Sequence, residues 1–293
     1  MGILPGGRRR SRNAAAVVTG AGSGIGRAFA LELARRGGRV VCADIDEVAA
    51  KDTVLLVEAA GGQGLAVTCD VGNEGDVLAL AAAAEDWLGD APTLVINNAG
   101  IGVGGRVIGD SSLDDWRETL EVNLWGVIHG CHVFVPRLRE HGHGGVINVA
   151  SAAGFTAAPR MAAYNVSKAG VVSLSETLAA ELAGSGVAVT VLCPTFVKTN
   201  IVANGRIDPA AARFAALAMK TTGFSADRVA RQTLDAHDRG QLYVVPQLDA
   251  QLLWRTKRLL PVPYTRMAGL VGRFAPTPDS PSTSDQQLDT EGA

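Results

Sequence analysis

The chain has four cysteines in 293 residues, and none stands in a Cys-x-x-Cys pair. Cys42, Cys69, Cys131 and Cys193 are scattered, three of them in apolar strand-like runs, which reads as buried thiols in a reducing compartment and argues against a disulfide framework. Positive charge is not in excess. With 27 Lys and Arg against 29 Asp and Glu, the formal charge is -2 and the pI near 6.2, so the chain lacks the basic footprint of a nucleic-acid binder. No apolar run approaches the roughly 18 residues of a membrane span, and residues Met1 to Asn13 carry arginines without the apolar core of a signal peptide. A cytoplasmic chain is expected. Metal-ligand sets are also missing. His129 and His132 lie three apart in one helical pattern and His141 and His143 in a Gly-rich loop, with no carboxylate or cysteine placed to complete a shell, so we expect no metal. No internal repeat occurs.

What is present begins with 47% apolar residues, enough for one large α/β domain with a buried core. Residues Ala14 to Thr19 read as a buried strand, and Gly20-Ala21-Gly22-Ser23-Gly24-Ile25-Gly26 follows before a helical pattern from Arg27 to Arg36. Strand, glycine turn and helix together suit a dinucleotide. The glycines let backbone approach a pyrophosphate, and the helix N-terminus offers unpaired N–H groups and a partial positive charge. A second strand, Arg39 to Ala43, ends at Asp44, eighteen residues beyond Gly26. A carboxylate there accepts hydrogen bonds from ribose hydroxyls and repels a 2′-phosphate, which argues for NAD. Asp46 is placed to cap the helix beginning near Glu47.

Further strands are expected at Gly64 to Cys69, Thr93 to Ile96, Val146 to Ala150, Val187 to Cys193 and Gln241 to Val245. Helical patterns separate them: Glu74 to Leu88 behind the cap Asn73, one long helix from Asp110 or Ser111 to about Arg139, Met161 to Leu182, and Ser225 to Asp238. Alternation of this kind predicts a single doubly wound parallel sheet of Rossmann type, about seven strands, with helices on both faces and a ligand crevice beyond the strands' carboxyl ends.

Tyr164 and Lys168 are four apart on one helix face and can act on the same small volume, and Ser151 closes the fifth strand thirteen residues upstream of Tyr164. A phenol ionises near pH 10 in water, so a nearby ammonium is needed to make it a base at neutral pH. Lys168 can supply that.

The Ser151, Tyr-x-x-x-Lys and Thr-Gly-x-x-x-Gly-Ile-Gly motifs resemble those of the short-chain dehydrogenase/reductase family over about residues 14 to 246. The resemblance implies an NAD(H)-dependent alcohol dehydrogenase or ketone reductase acting on CH–OH. Tyr164 would transfer the proton, Lys168 lower its pKa and bind the nicotinamide ribose, Ser151 hold the reacting oxygen, and Asn123, in the long helix, support Lys168 through water. It also implies that Gly20, Ser23, Gly24, Ile25 and Gly26 face the pyrophosphate, Asp70 and Val71 the adenine, and Asn98, Ala99 and Gly100 the cleft. Pro194, Val197 and Thr199 would hold the nicotinamide end, with Thr195 standing where relatives usually have glycine. A dimer or tetramer is the expected assembly. A lyase or epimerase on the same fold, or a non-catalytic NAD-binding regulator, are the alternatives.

The segment Asn200 to Thr222 is expected to cover the substrate, and its Phe214, Ala215, Ala216, Leu217, Ala218 and Met219 suit a lipophilic alcohol or ketone, sterol-like or long-chain. Residues 247–274 form an amphipathic extension broken by Pro261 and Pro263. It can pack over the substrate mouth, join a subunit interface or make peripheral contact with a membrane. Residues 1–13 are expected to be a disordered basic arm and residues 275–293 a disordered acidic tail.

Overall fold

The computed structural model describes residues 9–199, 201, 205–221 and 223–273. Its centre is one parallel sheet of seven strands: β1 Ala15–Thr19, β2 Arg39–Asp44, β3 Gln63–Thr68, β4 Leu94–Asn97, β5 Gly144–Val149, β6 Val187–Leu192 and β7 Tyr243–Val244, in spatial order β3-β2-β1-β4-β5-β6-β7. The chain runs outward from β1 on both sides, so the order reverses between β1 and β4 and opens a crevice at their carboxyl ends. β1 pairs with both neighbours through Val17, which faces Val41 on β2 and Val95 on β4.

Helices cover both faces: α1 Gly24–Arg35, α2 Glu47–Ala59, α3 Glu74–Leu88, α4 Leu113–Leu120, α5 Gly126–His141, α6 Ala162–Glu181, α7 Pro209–Thr221 and α8 Ala226–Asp238. Because strand side chains alternate between faces, each strand feeds two cores. Val17, Val41, Val95 and Val146 pack with Leu80, Phe134, Leu138 and Val171 on one side. Val18, Val40, Ile96 and Ile147 pack with Phe29, Leu33 and Leu234 on the other. All four cysteines are free and buried.

Local capping fixes several boundaries. The Asp46 carboxylate accepts from Ala49 N at 3.0 Å, and Asn73 Oδ1 from Gly75 N at 2.8 Å and Asp76 N at 3.3 Å. The long helix expected from Asp110 or Ser111 starts later, behind Ser112, whose Oγ accepts from Asp115 N at 3.0 Å. It is also interrupted. Residues Glu121–Trp125 form a π-helical turn between α4 and α5. The turn carries the fully buried Asn123, and beyond it Gly126 lies so close to Val71 that an added Cβ would stand 2.6 Å from a Val71 methyl carbon.

A second correction concerns the amino-terminal arm. Residues 9–13 pack in a turn instead of fraying: Ser11 is buried, its N and Oγ donate to Asp238 at 2.8 and 2.7 Å, and Arg36 donates to Ser11 Oγ at 2.8 Å. The carboxylate on α8 supplies the partner that the arm's own sequence does not reveal. Residues 1–8 and the tail 275–293 lie outside the described residues, as do Asn200 and Thr222 of the expected lid. The extension forms α9 Leu248–Leu259 and α10 Pro261–Arg273, which meet at Leu260. Among the described residues no helix is long and apolar enough to cross a membrane.

Candidate active site

The glycine turn lies at the carboxyl end of β1, against the loop that follows β4. Gly20 has φ +63°, and a Cβ there would stand 2.8 Å from Ala99 Cα; at Gly26 it would stand 2.0 Å from the Gly20 carbonyl oxygen. Asn98 braces the turn, donating from Nδ2 to Thr19 O at 2.8 Å and to Gly20 O at 3.2 Å. The hydroxyl of Thr19 in turn accepts from the Asn98 and Ala99 amides. α1 begins at Gly24, and its N-cap Ser23 makes no side-chain cap bond, so first-turn N–H groups point out of the helix end. Ile25 packs beside the core.

Asp44 is brought directly to this turn. One carboxylate oxygen accepts from Gly22 N at 2.8 Å and the other from Asp46 N at 3.0 Å, which leaves further acceptor capacity on both. On the far side, Asp70 accepts from Gly72 N at 2.9 Å, and the Val71 carbonyl meets His129 Nδ1 at 2.9 Å.

Ser151, at the end of β5, donates to Pro194 O at 3.4 Å and accepts from Ala153 N at 3.2 Å. It also forms a hydrogen bond with Tyr164. Lys168, one helical turn further along α6, is 3% exposed; its Nζ donates to Val149 O at 3.1 Å and lies 5.8 Å from the centroid of the Tyr164 ring. Burial pulls the Lys168 ammonium down to about 8, opposed by Cys193. Tyr164 is pushed up from its ordinary value by burial, and the Ser151 hydrogen bond opposes this. Burial is the larger of these two influences on Tyr164.

Asn123 acts on backbone. Its Oδ1 accepts from Ile101 N at 2.8 Å and its Nδ2 donates to Ile101 O at 3.0 Å, a two-point clamp on the loop after β4. Gly100 is thereby held where an added Cβ would stand 2.9 Å from Asn123 Oδ1 and 3.3 Å from Lys168 Nζ. The Pro194–Thr199 loop runs from Ser151 to the glycine turn, and Thr199 lies beside Gly24. The Val197 side chain is in the core, so what Val197 offers the cleft is backbone.

Two residues escape sequence reasoning. Arg27 donates to the Gly22 carbonyl and, at 2.9 Å, to Thr53, whose hydroxyl donates to Ala21 O at 2.9 Å. Gln247 reaches back to the loop after β6. Neither belongs to a spaced motif. Among the described residues, no three His, Cys, Asp or Glu side chains converge as a metal site. His129 is engaged with Val71 and Trp125, and His141 with Asp90.

A parallel sheet with this reversal, a glycine turn at its switch point and a Ser-Tyr-Lys group across the crevice define a nucleotide-dependent class of α/β enzymes. The chain belongs to the short chain dehydrogenase family, whose profile matches residues 14–210. It is 40% identical over 226 residues to the probable oxidoreductase EphD of Mycobacterium tuberculosis, a match that takes in 77% of this chain and 35% of that protein. The chain thus spans about a third of the length of that relative. It is 38% identical over 243 residues to the 1-deoxy-11-beta-hydroxypentalenate dehydrogenase of Streptomyces exfoliatus, covering 82% and 86% of the two chains. A short chain dehydrogenase/reductase of Burkholderia phymatum, solved in complex with NAD, superposes with a TM-score of 0.81 at 37% identity, over 85% of this chain and 94% of that one.

Proposed function

We propose that the chain is an NAD(H)-dependent oxidoreductase that interconverts a lipophilic secondary alcohol and its ketone. The observation that carries this reading is the convergence of Ser151, Tyr164 and Lys168 at the carboxyl ends of β5 and β6, joined by the Pro194–Thr199 loop to a glycine turn that bears a carboxylate. The turn suits a dinucleotide: at Gly20 and Gly26 a Cβ would strike Ala99 Cα and the Gly20 carbonyl oxygen, so only glycine lets the turn fold this tightly ahead of the α1 N-terminus.

In this reading Gly20, Ser23, Gly24, Ile25 and Gly26 hold the pyrophosphate and Asp44 the adenosine ribose, while Asp70 and Val71 border the adenine. Asn98, Ala99 and Gly100 line the cleft, and Pro194, Val197 and Thr199 hold the far end. The bound cofactor supplies hydride acceptance or donation. Ser151 orients the substrate oxygen by hydrogen bonding. Tyr164 takes the hydroxyl proton in oxidation and returns it in reduction, and Lys168 stabilises the phenolate that forms. Asn123 fixes the Ile101 backbone and so the wall against which Lys168 is packed.

Asp44 supports NAD over NADP, since its carboxylate would repel a 2′-phosphate. The substrate class rests on the apolar α7, where Leu217 is exposed and Ala215 and Met219 half-buried, and on the relative named for a hydroxypentalenate. The described part of this segment is tied to the body. Arg206 pairs with Asp115 at 3.2 Å and Glu118 at 2.8 Å, and residues Arg206–Ile207 add to Val103–Gly104 as a short parallel pair.

The test is absorbance at 340 nm with NAD+ and NADP+ in parallel over a panel of lipophilic secondary alcohols, wild type against Tyr164→Phe. NADH formation that falls at least about a hundredfold in the variant is expected, from the usual worth of a positioned acid–base group. Turnover without net change in NADH would move the reading to a lyase or epimerase. NADH binding with no turnover of any panel member would favour a regulator.

A further inference from the structure

We propose that Gln247 is a positioning residue for the cofactor: its side-chain amide pins the middle of the Pro194–Thr199 loop and so sets the reacting end of the site from the start of the C-terminal extension. The proposal rests on the dehydrogenase reading above and adds to it a residue outside the family's motifs. Gln247 follows β7 at the junction with α9 and is only 4% exposed. Its Oε1 accepts from Thr195 N at 3.1 Å, and its Nε2 donates to Phe196 O at 3.2 Å. One planar amide thus satisfies an N–H and a carbonyl of two consecutive loop residues.

The two ends of the loop are tied to the rest of the site. Pro194 O accepts from Ser151 Oγ at 3.4 Å and from Ala152 N at 2.9 Å, and Thr199 lies against Gly24. Between these ends Gln247 holds Thr195 and shares Phe196 O with the Phe224 amide, which donates to it at 3.2 Å where Phe224–Ser225 pair with Val197–Lys198. The clamp itself is well founded: Ala250 is fully buried, Gln251 Nε2 donates to Val245 O at 2.8 Å, and Trp254 stacks on Phe155 at 5.3 Å between ring centroids. Phe155 belongs to the short helix Ala153–Thr156 that follows Ser151. The extension therefore holds both loops that meet at Ser151, one through Gln247 and the other through Trp254. Thr195 is the residue whose amide Gln247 takes up.

The test compares wild type with Gln247→Met, similar in length and unable to hydrogen-bond, and Gln247→Glu, which keeps the acceptor for Thr195 N and loses the donor to Phe196 O. Three quantities are read: affinity for NADH, affinity for ADP-ribose, which lacks the nicotinamide, and deuterium uptake of the peptide spanning 194–199 without ligand. Gln247→Met is expected to weaken NADH about tenfold, the usual worth of one or two hydrogen bonds, with ADP-ribose unchanged within about twofold and faster uptake in the loop. Gln247→Glu is expected to fall between, and it carries the test should the Met variant melt at assay temperature. Equal weakening of both ligands would make Gln247 merely structural and overturn the proposal, as would unchanged NADH affinity and uptake. A wild-type chain that binds neither ligand overturns the dehydrogenase reading instead, and unchanged uptake would then overturn the clamp on its own.

Discussion

Replacing Lys168 by Met tests whether the ammonium is held in the fold at a cost. Its Nζ has three protons to place, is 3% exposed and donates to one backbone carbonyl at 3.1 Å. Burial takes it from the ordinary 10.5 down to about 8. Between these values the unfolded chain binds a proton at this position that the folded chain does not, so stability rises with pH across the window. The cost is fully present below about 8 and is gone above 10.5. Linkage gives about 3 kcal/mol at pH 7, falling to about 1 kcal/mol at pH 10. Cys42 and Cys69, both pushed up to about 12 by burial, act the opposite way above pH 9, so the informative quantity is a difference between two proteins. Urea unfolding of wild type and Lys168→Met at pH 7, 8, 9 and 10 should show the variant more stable by up to about 3 kcal/mol at pH 7, with the gap narrowing by about 2 kcal/mol at pH 10. A gap that stays constant with pH would refute the reasoning, because it would mean that Lys168 titrates alike in both states.

Asp44→Ala should raise kcat/KM for NADP+ relative to NAD+ by at least about tenfold in steady-state assays, through loss of a like charge facing a 2′-phosphate; an unchanged ratio would remove Asp44 from ribose selection. Gly26→Ala forces a Cβ to within 2.0 Å of the Gly20 carbonyl, a contact backbone cannot relieve cheaply. A loss of about 1–3 kcal/mol in chemical unfolding is expected, together with loss of NADH binding. His237 is buried, bonded from Nδ1 to Thr190 Oγ1 at 2.9 Å, and lowered by burial from 6.5 to about 3. The unfolded chain protonates it first, so wild type should lose about 2 kcal/mol by pH 5 and about 4 kcal/mol by pH 3 relative to its stability at pH 7, a loss that His237→Gln should not share. Parallel acid-unfolding curves would show that His237 has no part in it.

Much of the fold is written locally. β1, β2 and β4 read as continuous apolar runs because both of their faces are covered, and Asp46 and Asn73 announce helix starts by bonding amides two or three residues away. The glycine turn is equally legible as a seven-residue stretch, although its steric demands reach Asp44, Ala49, the loop after β4 and Thr199. The π-turn at Glu121–Trp125 is not, because what sets it lies elsewhere: Asn123 must reach Ile101, and Gly126 must clear Val71. Ser11 looks like a residue in a solvated basic arm because the carboxylate that buries it is 227 positions away. Gln247 carries no signal either, since a glutamine after a short edge strand gains meaning only from Thr195 and Phe196, 52 and 51 positions earlier.

The charge state of the Tyr-Lys pair belongs to the same illegible part, and it bears most directly on chemistry. Spacing brings the phenol and the ammonium to one helix face, and from spacing alone the ammonium should acidify the phenol. Burial works against both charges at once, raising Tyr164 and lowering Lys168. The two shifts favour the same outcome, a neutral phenol beside an ammonium that gives up its proton about two and a half pH units more easily than in water. A neutral phenol is a competent proton donor, which the proposed reduction of a ketone would use. Oxidation needs the proton removed, and every feature that stabilises negative charge at Tyr164 Oη then counts: the Ser151 hydrogen bond, which already works in that direction, and the Lys168 ammonium as long as it stays protonated. Asn123 clamps the Ile101 backbone and Gln247 the Thr195 and Phe196 backbone, so in the proposed reading both hold loops beside this group.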